Sequence, residues 1–334
     1  MPRLKPLWLH LGDLAGRLRC AGHLGIASDF DGTLTPIVPE PDGARLAPRS
    51  RDLLERLVAR SGVSLAILSG RRLEDLEERV GLRGVFYAGT AGFETRDPSG
   101  GHAVHLPPGA EVPAELREEL ERWCDRFPGA WLEDKRFSYS LHYRAVERSA
   151  QPAFGAGVRR RVHAHPRRAR LVHGKRVFEV MPAPPWDKSS ALERWLAGLP
   201  QEALTFYFGD DSNDEPVHAR VRQQGGVSVA VGRASSHAEY GVPTCADVAW
   251  FLEWLEREHA AAVPCAAQPA EACSRSSHSR NQATSAQVGT RASSHAEYGV
   301  PTCADVAWFL EWLEREHAAA VPCAAQPAEA GRKA

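Results

Sequence analysis

Two aspartates one residue apart, Asp29 and Asp31 in the stretch IASDFDGTLT, directly follow a short apolar run. A carboxylate at the end of a buried strand costs free energy unless a cation or hydrogen-bond donors stabilise it. More polar groups follow along the chain: Ser69, Lys188, and the three acids of GDDSNDE, namely Asp210, Asp211 and Asp214. Phosphoryl transfer uses such a set, because it needs a nucleophile, a hard cation, donors for the phosphate oxygens and an acid for the leaving alcohol.

The residue types indicate how these groups could divide that work. Mg²⁺ takes oxygen ligands and few carboxylates, so Asp29, Asp210 and the backbone carbonyl of Asp31 could hold one ion. The hydroxyl of Ser69 and the ammonium of Lys188 suit phosphate oxygens. Each signal alone is common in surface turns and at helix starts, where the helix dipole stabilises acids. Their order along the chain, each at a strand end or helix start, favours one shared site.

The apolar patterning predicts a scaffold that brings these residues together. Short apolar runs such as LGIASDF, GVSLAILSG and LTFYFGD alternate with helical patterns, which indicates an α/β fold with a parallel, doubly wound sheet. In such sheets, ligands bind beyond the carboxyl ends of the strands. Asp29, Ser69 and Asp210 fall at predicted strand ends, so we expect them to meet at one edge of the sheet.

The middle of the chain predicts a smaller α+β unit inserted into this core. PAELREELERWCDRF has the apolar stripe of an amphipathic helix, and FSYSLHYRA alternates with period two. RARLVHGKRVFEVMP indicates two strands around a turn at His173-Gly174. His142 and Arg144 share one strand face, as do Lys175 and Glu179. A sheet built from these strands would present one polar face.

The C-terminal part contains an unaltered repeat, because residues 233–272 return as 291–330. Structural repeats diverge and tile a whole chain, so a recent duplication or a sequence-assembly error is favoured over a second docking helix for a partner. The first copy contains ADVAWFLEWLERE, whose apolar residues recur at helical spacing. The predicted organisation is a core over 1–107 and 182–259, the inserted unit over 108–181, a disordered linker over 260–290 and a detached copy over 291–334.

Composition narrows the class of protein. The chain has 334 residues, of which 25% are charged, and a formal net charge of −1, so no global field indicates a nucleic-acid or membrane partner. No apolar run approaches the roughly 20 residues of a membrane span. The seven cysteines show no C-x-x-C spacing, and we therefore expect a reducing, cytoplasmic location. The oligomeric state is left open.

Together, the motifs DFDGTL, LSGR, Lys188 and GDDSNDE resemble the haloacid dehalogenase (HAD) superfamily. The resemblance implies a Rossmann-like core and an aspartyl-phosphate mechanism. By position it implies these roles: nucleophile for Asp29, general acid and base for Asp31, phosphate holders for Ser69 and Lys188, metal ligand for Asp210, and supporting acids for Asp214 and Asp211.

The long stretch between Ser69 and Lys188 leaves room for a cap domain at the C2 position, where HAD sugar phosphatases carry an α/β lid. Within it, LEDKRFSYSLHYR and GKRVFEVMPAPPWDKSSAL are similar to the trehalose-6-phosphate phosphatases, as are AGTAGFE and GDDSNDE. The resemblance implies a Mg²⁺-dependent phosphatase acting on trehalose 6-phosphate. It also implies a substrate-binding set: Arg71, Gly92, Glu94, Glu133, Lys135, His142, Arg144, Lys175 and Glu179.

One position departs from that family, because Ala91 stands where the family usually has histidine. The change could weaken substrate affinity or relax specificity, but it leaves the nucleophile, acid, lysine and metal ligands in place. Three alternatives stay open: a HAD phosphatase for another sugar phosphate, of the sucrose or mannosyl type, a catalytically weak sugar-phosphate-binding protein, and a phosphomutase.

Overall fold

The computed structural model of this protein describes residues 3–38, 41–174 and 176–261, which form two β-sheets. The strands are β1 (Lys5–Pro6), β2 (His23–Asp29), β3 (Val63–Leu68), β4 (Phe86–Gly89), β5 (Glu94–Arg96), β6 (His102–Val104), β7 (Trp131–Asp134), β8 (Tyr139–His142), β9 (Ala169–Gly174), β10 (Val177–Pro182), β11 (Ala203–Gly209), β12 (Val227–Val231) and β13 (Tyr240–Val242). The α-helices are α1 (Leu11–Cys20), α2 (Pro48–Val58), α3 (Leu73–Val80), α4 (Ala114–Cys124), α5 (Gln151–His163), α6 (Lys188–Leu196), α7 (Glu215–Gln223) and α8 (Cys245–Ala261). Within the described ranges, no helix combines the length and the apolar character that crossing a bilayer requires.

The larger sheet has the strand order β1-β13-β12-β11-β2-β3-β4-β5-β6. Strands β1 to β4 and β11 to β13 are parallel, which confirms the predicted doubly wound sheet. Strands β5 and β6 extend it as an antiparallel edge that the patterning does not predict. They are only three residues long, too short to show an alternating pattern, and their connections are short, as antiparallel neighbours allow.

Side chains alternate along the central strands and divide the core between two helical layers. Ile26 and Phe206 join an apolar cluster with residues of α1, α2, α3 and α8. Ala27 and Tyr207 face α6 and α7 on the other side. Because successive residues of a strand point to opposite faces and both faces are covered, these strands read as almost continuous apolar runs. The charged side chains of these strands lie at their ends.

Helix α8 is the amphipathic helix predicted in the first copy of the repeat. Val248, Phe251, Leu252 and Leu255 are buried in the core, as their spacing predicts. The predicted linker, beyond its first two residues, and the second copy lie outside the described residues.

The smaller sheet has the order β7-β8-β10-β9 and is antiparallel throughout. Its apolar face packs on α4 and α5 through residues such as Leu141, Phe154 and Phe178. Its other face carries neighbouring polar residues, with Ser140 paired in register to both Glu133 and Glu179. The elements of this unit span residues 114–182, and we refer to it as the cap; the exact limits 108–181 stay a prediction.

The hairpin between β9 and β10 turns slightly later than its sequence suggests. Gly174 pairs with Val177, so the chain reverses direction between these two residues. The predicted turn at His173-Gly174 is therefore wrong by two residues, because both residues still pair within the sheet, His173 opposite Phe178 and Gly174 opposite Val177.

Candidate active site

Three neighbouring strands bring the polar motifs to one edge of the larger sheet. Strand β2 ends at Asp29, and it lies between β3, which Ser69 follows, and β11, which Asp210 follows. These residues line a cavity of about 560 Å³ whose opposite wall comes from the cap. Its volume is in the range of small-molecule binding sites. The end of the cavity at the sheet edge is called the core end below, and the end at the cap is called the cap end.

Lys188 begins α6, and its ammonium is buried at the core end. Asp187 caps the helix by accepting hydrogen bonds from the backbone N–H groups two and three residues further on, at 2.8 and 3.3 Å. Lys188 Nζ donates to Asp29 Oδ1 at 2.6 Å and to Asp214 Oδ1 at 2.9 Å. Burial lowers the pKa of Lys188, but the two carboxylates outweigh burial and raise that pKa above its ordinary value. The ammonium is therefore charged.

Asp214 supports this arrangement from behind the cavity. Its Oδ1 accepts from Lys188 and, at 2.7 Å, from the hydroxyl of Tyr207. Its Oδ2 accepts from the backbone N–H groups of Asp210 and Asp211, each at 3.0 Å. Burial raises the pKa of Asp214, but Lys188 and these hydrogen bonds outweigh burial and lower it. Asp214 thus orients Lys188 and the loop that carries Asp210.

The donor set at the core end fits a divalent cation. Carboxylate oxygens of Asp29, Asp210 and Asp214 lie within 4.8 Å of one another, and all three residues are buried. Burial raises the pKa of Asp29 well above its ordinary value, although the ammonium of Lys188 opposes this. A hard cation would take these oxygens and offset the remaining negative charge. Asp29 and Asp210 line the cavity, so they are the carboxylates that could hold it, whereas Asp214 lies outside the lining.

The glycine of DFDGT allows the first and last motifs to approach each other. Gly32 has a φ of +84°, and a Cβ on it would lie 2.4 Å from Asp210 Oδ2. Its N–H donates to the carbonyl of Thr35 at 2.7 Å, which closes a tight loop. A side chain at this position would displace Asp210 from the edge of the sheet.

Asp31 lies at the same edge but has a different partner. Arg71 donates from Nε to Asp31 Oδ2 and from Nη2 to Oδ1, each at 2.7 Å. The Nη1 of Arg71 donates to Asp75 Oδ2 at 3.0 Å. Ser69 Oγ accepts from the backbone N–H of Arg71 at 3.2 Å. The motif LSGR therefore fixes Asp31 and places a hydroxyl in the cavity.

The cap end carries an alternating set of acceptors and donors. Lys135 Nζ lies 3.3 Å from Glu179 Oε1 and 3.8 Å from Glu133 Oε2. Glu133 Oε2 is also 2.8 Å from His142 Nε2, and Ser140 Oγ donates to Glu179 Oε2 at 2.7 Å. Burial lowers the pKa of Lys135, but Glu179 and Glu133 outweigh burial and raise it. This wall suits a ligand with many hydroxyl groups.

The cap and the core are joined beside the cavity. Ser212 Oγ donates to the carbonyl of His173 at 2.8 Å, which ties the tip of the β9–β10 hairpin to the loop after β11. Arg136 Nη1 lies 2.5 Å from Oε1 of Glu94, whose side chain is fully buried in the core. These contacts hold the cap against the core edge.

Comparison with known proteins identifies the family of this chain. The sequence profile of the trehalose-phosphatase family matches residues 27–243, more than half of the chain. The matched range contains DFDGTL, LSGR, Lys188 and GDDSNDE. This chain belongs to the trehalose-phosphatase family.

An individual relative agrees with that assignment. The trehalose-phosphate phosphatase of Mycobacterium tuberculosis is 37% identical over 245 residues, which cover 69% of this chain and 60% of that protein. The chain thus spans about three fifths of the length of this curated relative.

Two solved structures share the fold. The C-terminal domain of the trehalose-6-phosphate phosphatase of C. albicans matches with a TM-score of 0.69 at 20% identity, over 77% of this chain and 99% of that chain. A haloacid dehalogenase-like hydrolase from Bacteroides thetaiotaomicron matches with a TM-score of 0.51 at 18% identity, over 70% and 99% of the two chains. The predicted HAD-type core with an inserted cap is confirmed.

The cavity collects most of the residues that the sequence predicts for the site. Its lining contains Asp29, Asp31, Ser69, Arg71, Glu133, Lys135, His142, Arg144, Glu179, Lys188, Asp210 and Asp211. Gly92 and Glu94 are not brought into this lining. The carbonyl of Gly92 accepts from Trp186 Nε1 at 2.6 Å, and Glu94 holds the cap through its ion pair. Lys175 lies outside the described residues.

Ala91, at the position where the family usually has histidine, lies beside the cap rather than in the cavity lining. It has a φ of +53° and packs against the cluster of Phe93, Leu106 and Met181. Its neighbours are therefore apolar, and its effect on substrate preference stays a prediction.

Two residues of the site were not predicted from the sequence motifs. Tyr207 lies within β11 and reads as core, yet its hydroxyl holds Asp214. A buried tyrosine hydroxyl needs a hydrogen-bond partner, so the tyrosine in LTFYFGD was a usable clue. Trp131 lines the cavity two residues before Glu133. Because residues two apart share a strand face, the predicted position of Glu133 also indicated that Trp131 faces the cavity.

Proposed function

We propose that this protein is a Mg²⁺-dependent phosphatase that hydrolyses trehalose 6-phosphate to trehalose and inorganic phosphate. The observation that supports the proposal is one cavity with two different ends. Buried carboxylates and Lys188 at the core end suit a phosphoryl group, and the charged wall at the cap end suits sugar hydroxyls. The similarity to trehalose-phosphate phosphatases supports the choice of sugar.

In the first half-reaction, Asp29 is the nucleophile. An oxygen of its carboxylate forms a bond to phosphorus while the bond between phosphorus and the sugar oxygen breaks. Asp31 donates a proton to that oxygen, so trehalose leaves as a neutral alcohol. Asp29 is then an aspartyl phosphate, and Asp31 is a carboxylate.

In the second half-reaction, Asp31 acts as the base. It takes a proton from water, whose oxygen forms a bond to phosphorus as the bond to Asp29 breaks. Inorganic phosphate leaves, and both aspartates return to their first state. Because Arg71 holds both oxygens of Asp31, at least one of these hydrogen bonds opens during the cycle.

The remaining core residues stabilise charge. Mg²⁺ held by Asp29, Asp210 and the backbone carbonyl of Asp31 would supply positive charge for the phosphoryl oxygens. Ser69 and Lys188 supply a hydroxyl and an ammonium to the same oxygens. Asp214 keeps Lys188 in place, and Asp211 helps by donating its backbone N–H to Asp214.

The cap residues bind the sugar in this proposal. Glu133, Lys135, His142, Arg144 and Glu179 line the cap end and would contact hydroxyl groups. Arg71 positions Asp31 through its hydrogen bonds and is not assigned a contact with the sugar. A contact from Lys175 to the sugar stays a prediction, whereas Gly92 and Glu94 are assigned to placing the cap.

The test is phosphate release by the full chain from four substrates, each with Mg²⁺ and with EDTA. The panel contains trehalose 6-phosphate, sucrose 6-phosphate, glucose 6-phosphate and p-nitrophenyl phosphate. We expect the highest kcat/KM for trehalose 6-phosphate and no turnover in EDTA. A higher value for another sugar phosphate would reject the substrate and keep the chemistry. Release that persists in EDTA, or no release at all, would reject the phosphatase mechanism.

We also propose a cytoplasmic location. Cys20, Cys124 and Cys245 are present as thiols, which suits a reducing compartment. The small sugar phosphate is the partner that the proposal includes, with neither nucleic acid nor membrane. Fractionation of cells with an antibody against the chain would test this, and recovery in the membrane or secreted fraction would contradict it.

A further inference from the structure

Trp131 presents an apolar ring to a cavity whose other cap residues are mostly polar. It is one of four large apolar residues that are exposed in the described part of the chain, together with Leu9, Ile37 and Val104. Its exposed fraction is 45%, and it lines the cavity together with Glu133, its neighbour on the same strand face. An aromatic side chain beside polar groups in a concave lining is typical of a small-molecule binding site.

The indole ring is held in a fixed orientation. It stacks on the ring of His142, with the centroids 4.0 Å apart and the planes at 11°. Strand register places the two residues opposite each other, and Glu133 fixes His142 by a 2.8 Å contact to Nε2. Since the ring is already positioned, little side-chain freedom remains to be lost when a ligand covers it.

The position of Trp131 along β7 places it far from the core end of the cavity. Lys135 Nζ lies 3.8 Å from where a Cβ of Gly70 would be, so this end of the strand adjoins the LSGR loop. Trp131 lies four residues earlier, which is roughly 13 Å further along an extended chain. A monosaccharide phosphate bound at the core end does not extend that far, whereas a second sugar ring does.

We propose that Trp131 determines specificity, because its indole ring is the platform for the pyranose ring that lies remote from the phosphate. A pyranose has hydroxyl groups around its edge and an apolar face of C–H groups. Glu133 and Glu179 match the hydroxyl edge, and the indole ring matches the C–H face. Trp131 thereby makes the enzyme prefer a disaccharide phosphate to a monosaccharide phosphate. This inference rests on the proposed function.

The test compares Trp131→Ala and Trp131→Phe with the wild-type chain on trehalose 6-phosphate, glucose 6-phosphate and p-nitrophenyl phosphate. For Trp131→Ala we expect kcat/KM for trehalose 6-phosphate to fall about tenfold, through KM, with kcat nearly unchanged. The two smaller substrates should keep their kcat/KM. Inhibition by trehalose should weaken by the same factor, and Trp131→Phe should recover most of the loss. The control is Val104→Ala, a change of a similarly exposed residue outside the cavity lining, which should behave as wild type.

The outcomes separate this inference from the proposed function. If the wild type prefers trehalose 6-phosphate and Trp131→Ala keeps that preference, the inference fails and the function stands. An equal loss on all three substrates would mean that Trp131 only supports the fold of the cap, and this also overturns the inference. If the wild type shows no preference for the disaccharide, both fail.

Discussion

The two ends of the cavity differ in how their charged groups are held. At the core end, Asp29 is 4% exposed, Lys188 5% and Asp214 0%, and each is fixed by contacts of 2.6 to 3.0 Å. At the cap end, Trp131 is 45% exposed, and the contacts of Lys135 to its two glutamates are 3.3 and 3.8 Å. The core end is thus shielded from water, whereas the cap end is partly open to it, although Glu133 and Glu179 also have contacts of 2.8 and 2.7 Å there.

This difference suggests a division of labour. Chemistry at phosphorus requires charges that are already in place when the reaction begins. Recognition of a sugar requires a wall from which water can be displaced by hydroxyl groups. Changes at the core end should therefore lower kcat for every substrate, and changes at the cap end should act on the substrate that carries the sugar.

The largest effect on turnover is expected from a change of Asp29, the proposed nucleophile. Asp29→Asn removes the attacking oxygen anion, and turnover should fall by at least about a thousandfold on every substrate. Phosphate release at saturating trehalose 6-phosphate measures this, and circular dichroism checks that the variant is folded. Residual turnover of about a tenth of wild type, in a preparation free of other phosphatases, would exclude Asp29 as the nucleophile.

A smaller loss of turnover is expected at Asp214, which holds Lys188 beside the nucleophile. Asp214→Asn weakens the hold on Lys188 and should lower kcat about a hundredfold, because displacing a catalytic group by an ångström has effects of that size. It also breaks a buried ion pair, so the free energy of unfolding should fall by about 3 kcal/mol. Urea denaturation and steady-state kinetics measure the two effects.

Tyr207→Phe is the matched control for Asp214→Asn. It removes one of the hydrogen bonds to Asp214 and leaves those from Lys188 and the backbone. The loss of stability should be about 1.5 kcal/mol, and kcat should stay within about tenfold of wild type. If Tyr207→Phe lowered kcat as much as Asp214→Asn, the carboxylate contact to Lys188 would not be what matters.

At the cap end, Glu179→Gln should act mainly on KM. The change keeps the shape of the side chain but removes the charge that Lys135 and Ser140 contact. KM for trehalose 6-phosphate should rise about tenfold, because a charged hydrogen bond to the ligand is weakened. The same kinetics on p-nitrophenyl phosphate should show no change. A fall in kcat on both substrates would show that the cap end also governs the chemistry.

The smallest effect on activity is expected at His218, which lies beneath the core end with its ring 5.1 Å from that of Tyr207. Burial lowers the pKa of His218 to about 4. The unfolded chain then binds a proton below the ordinary pKa of about 6.5 that the folded chain does not bind, so stability falls as pH falls from there towards 4.

From pH 7 to pH 5 this lowers the free energy of unfolding by about 2 kcal/mol. His218→Leu should remove that part of the pH dependence and leave turnover at pH 7 nearly unchanged. Urea denaturation at both pH values measures the difference between the variants. Parallel pH curves for the two chains would show that His218 does not contribute.

The core end was predictable from the sequence, because its residues sit at the ends of apolar strands and parallel strands share one edge. The roles of Asp214 and Arg71 were only partly predictable. The contact of Asp214 with Lys188 and that of Arg71 with Asp31 each join side chains from separate elements. Such contacts depend on side-chain directions that the sequence does not show. The cap end was less predictable, since the orientation of Trp131 depends on which face of its strand meets the cavity. In the core, the burial of Glu94 likewise depends on how its short edge strand packs.

The most direct test of this division is the ratio of kcat/KM for trehalose 6-phosphate to that for p-nitrophenyl phosphate. It should be measured in the wild type, in Asp214→Asn and in Glu179→Gln under identical Mg²⁺ conditions. The account predicts that Asp214→Asn lowers both values equally and keeps the ratio, whereas Glu179→Gln lowers the ratio about tenfold. A ratio that changes in Asp214→Asn, or stays constant in Glu179→Gln, would contradict it.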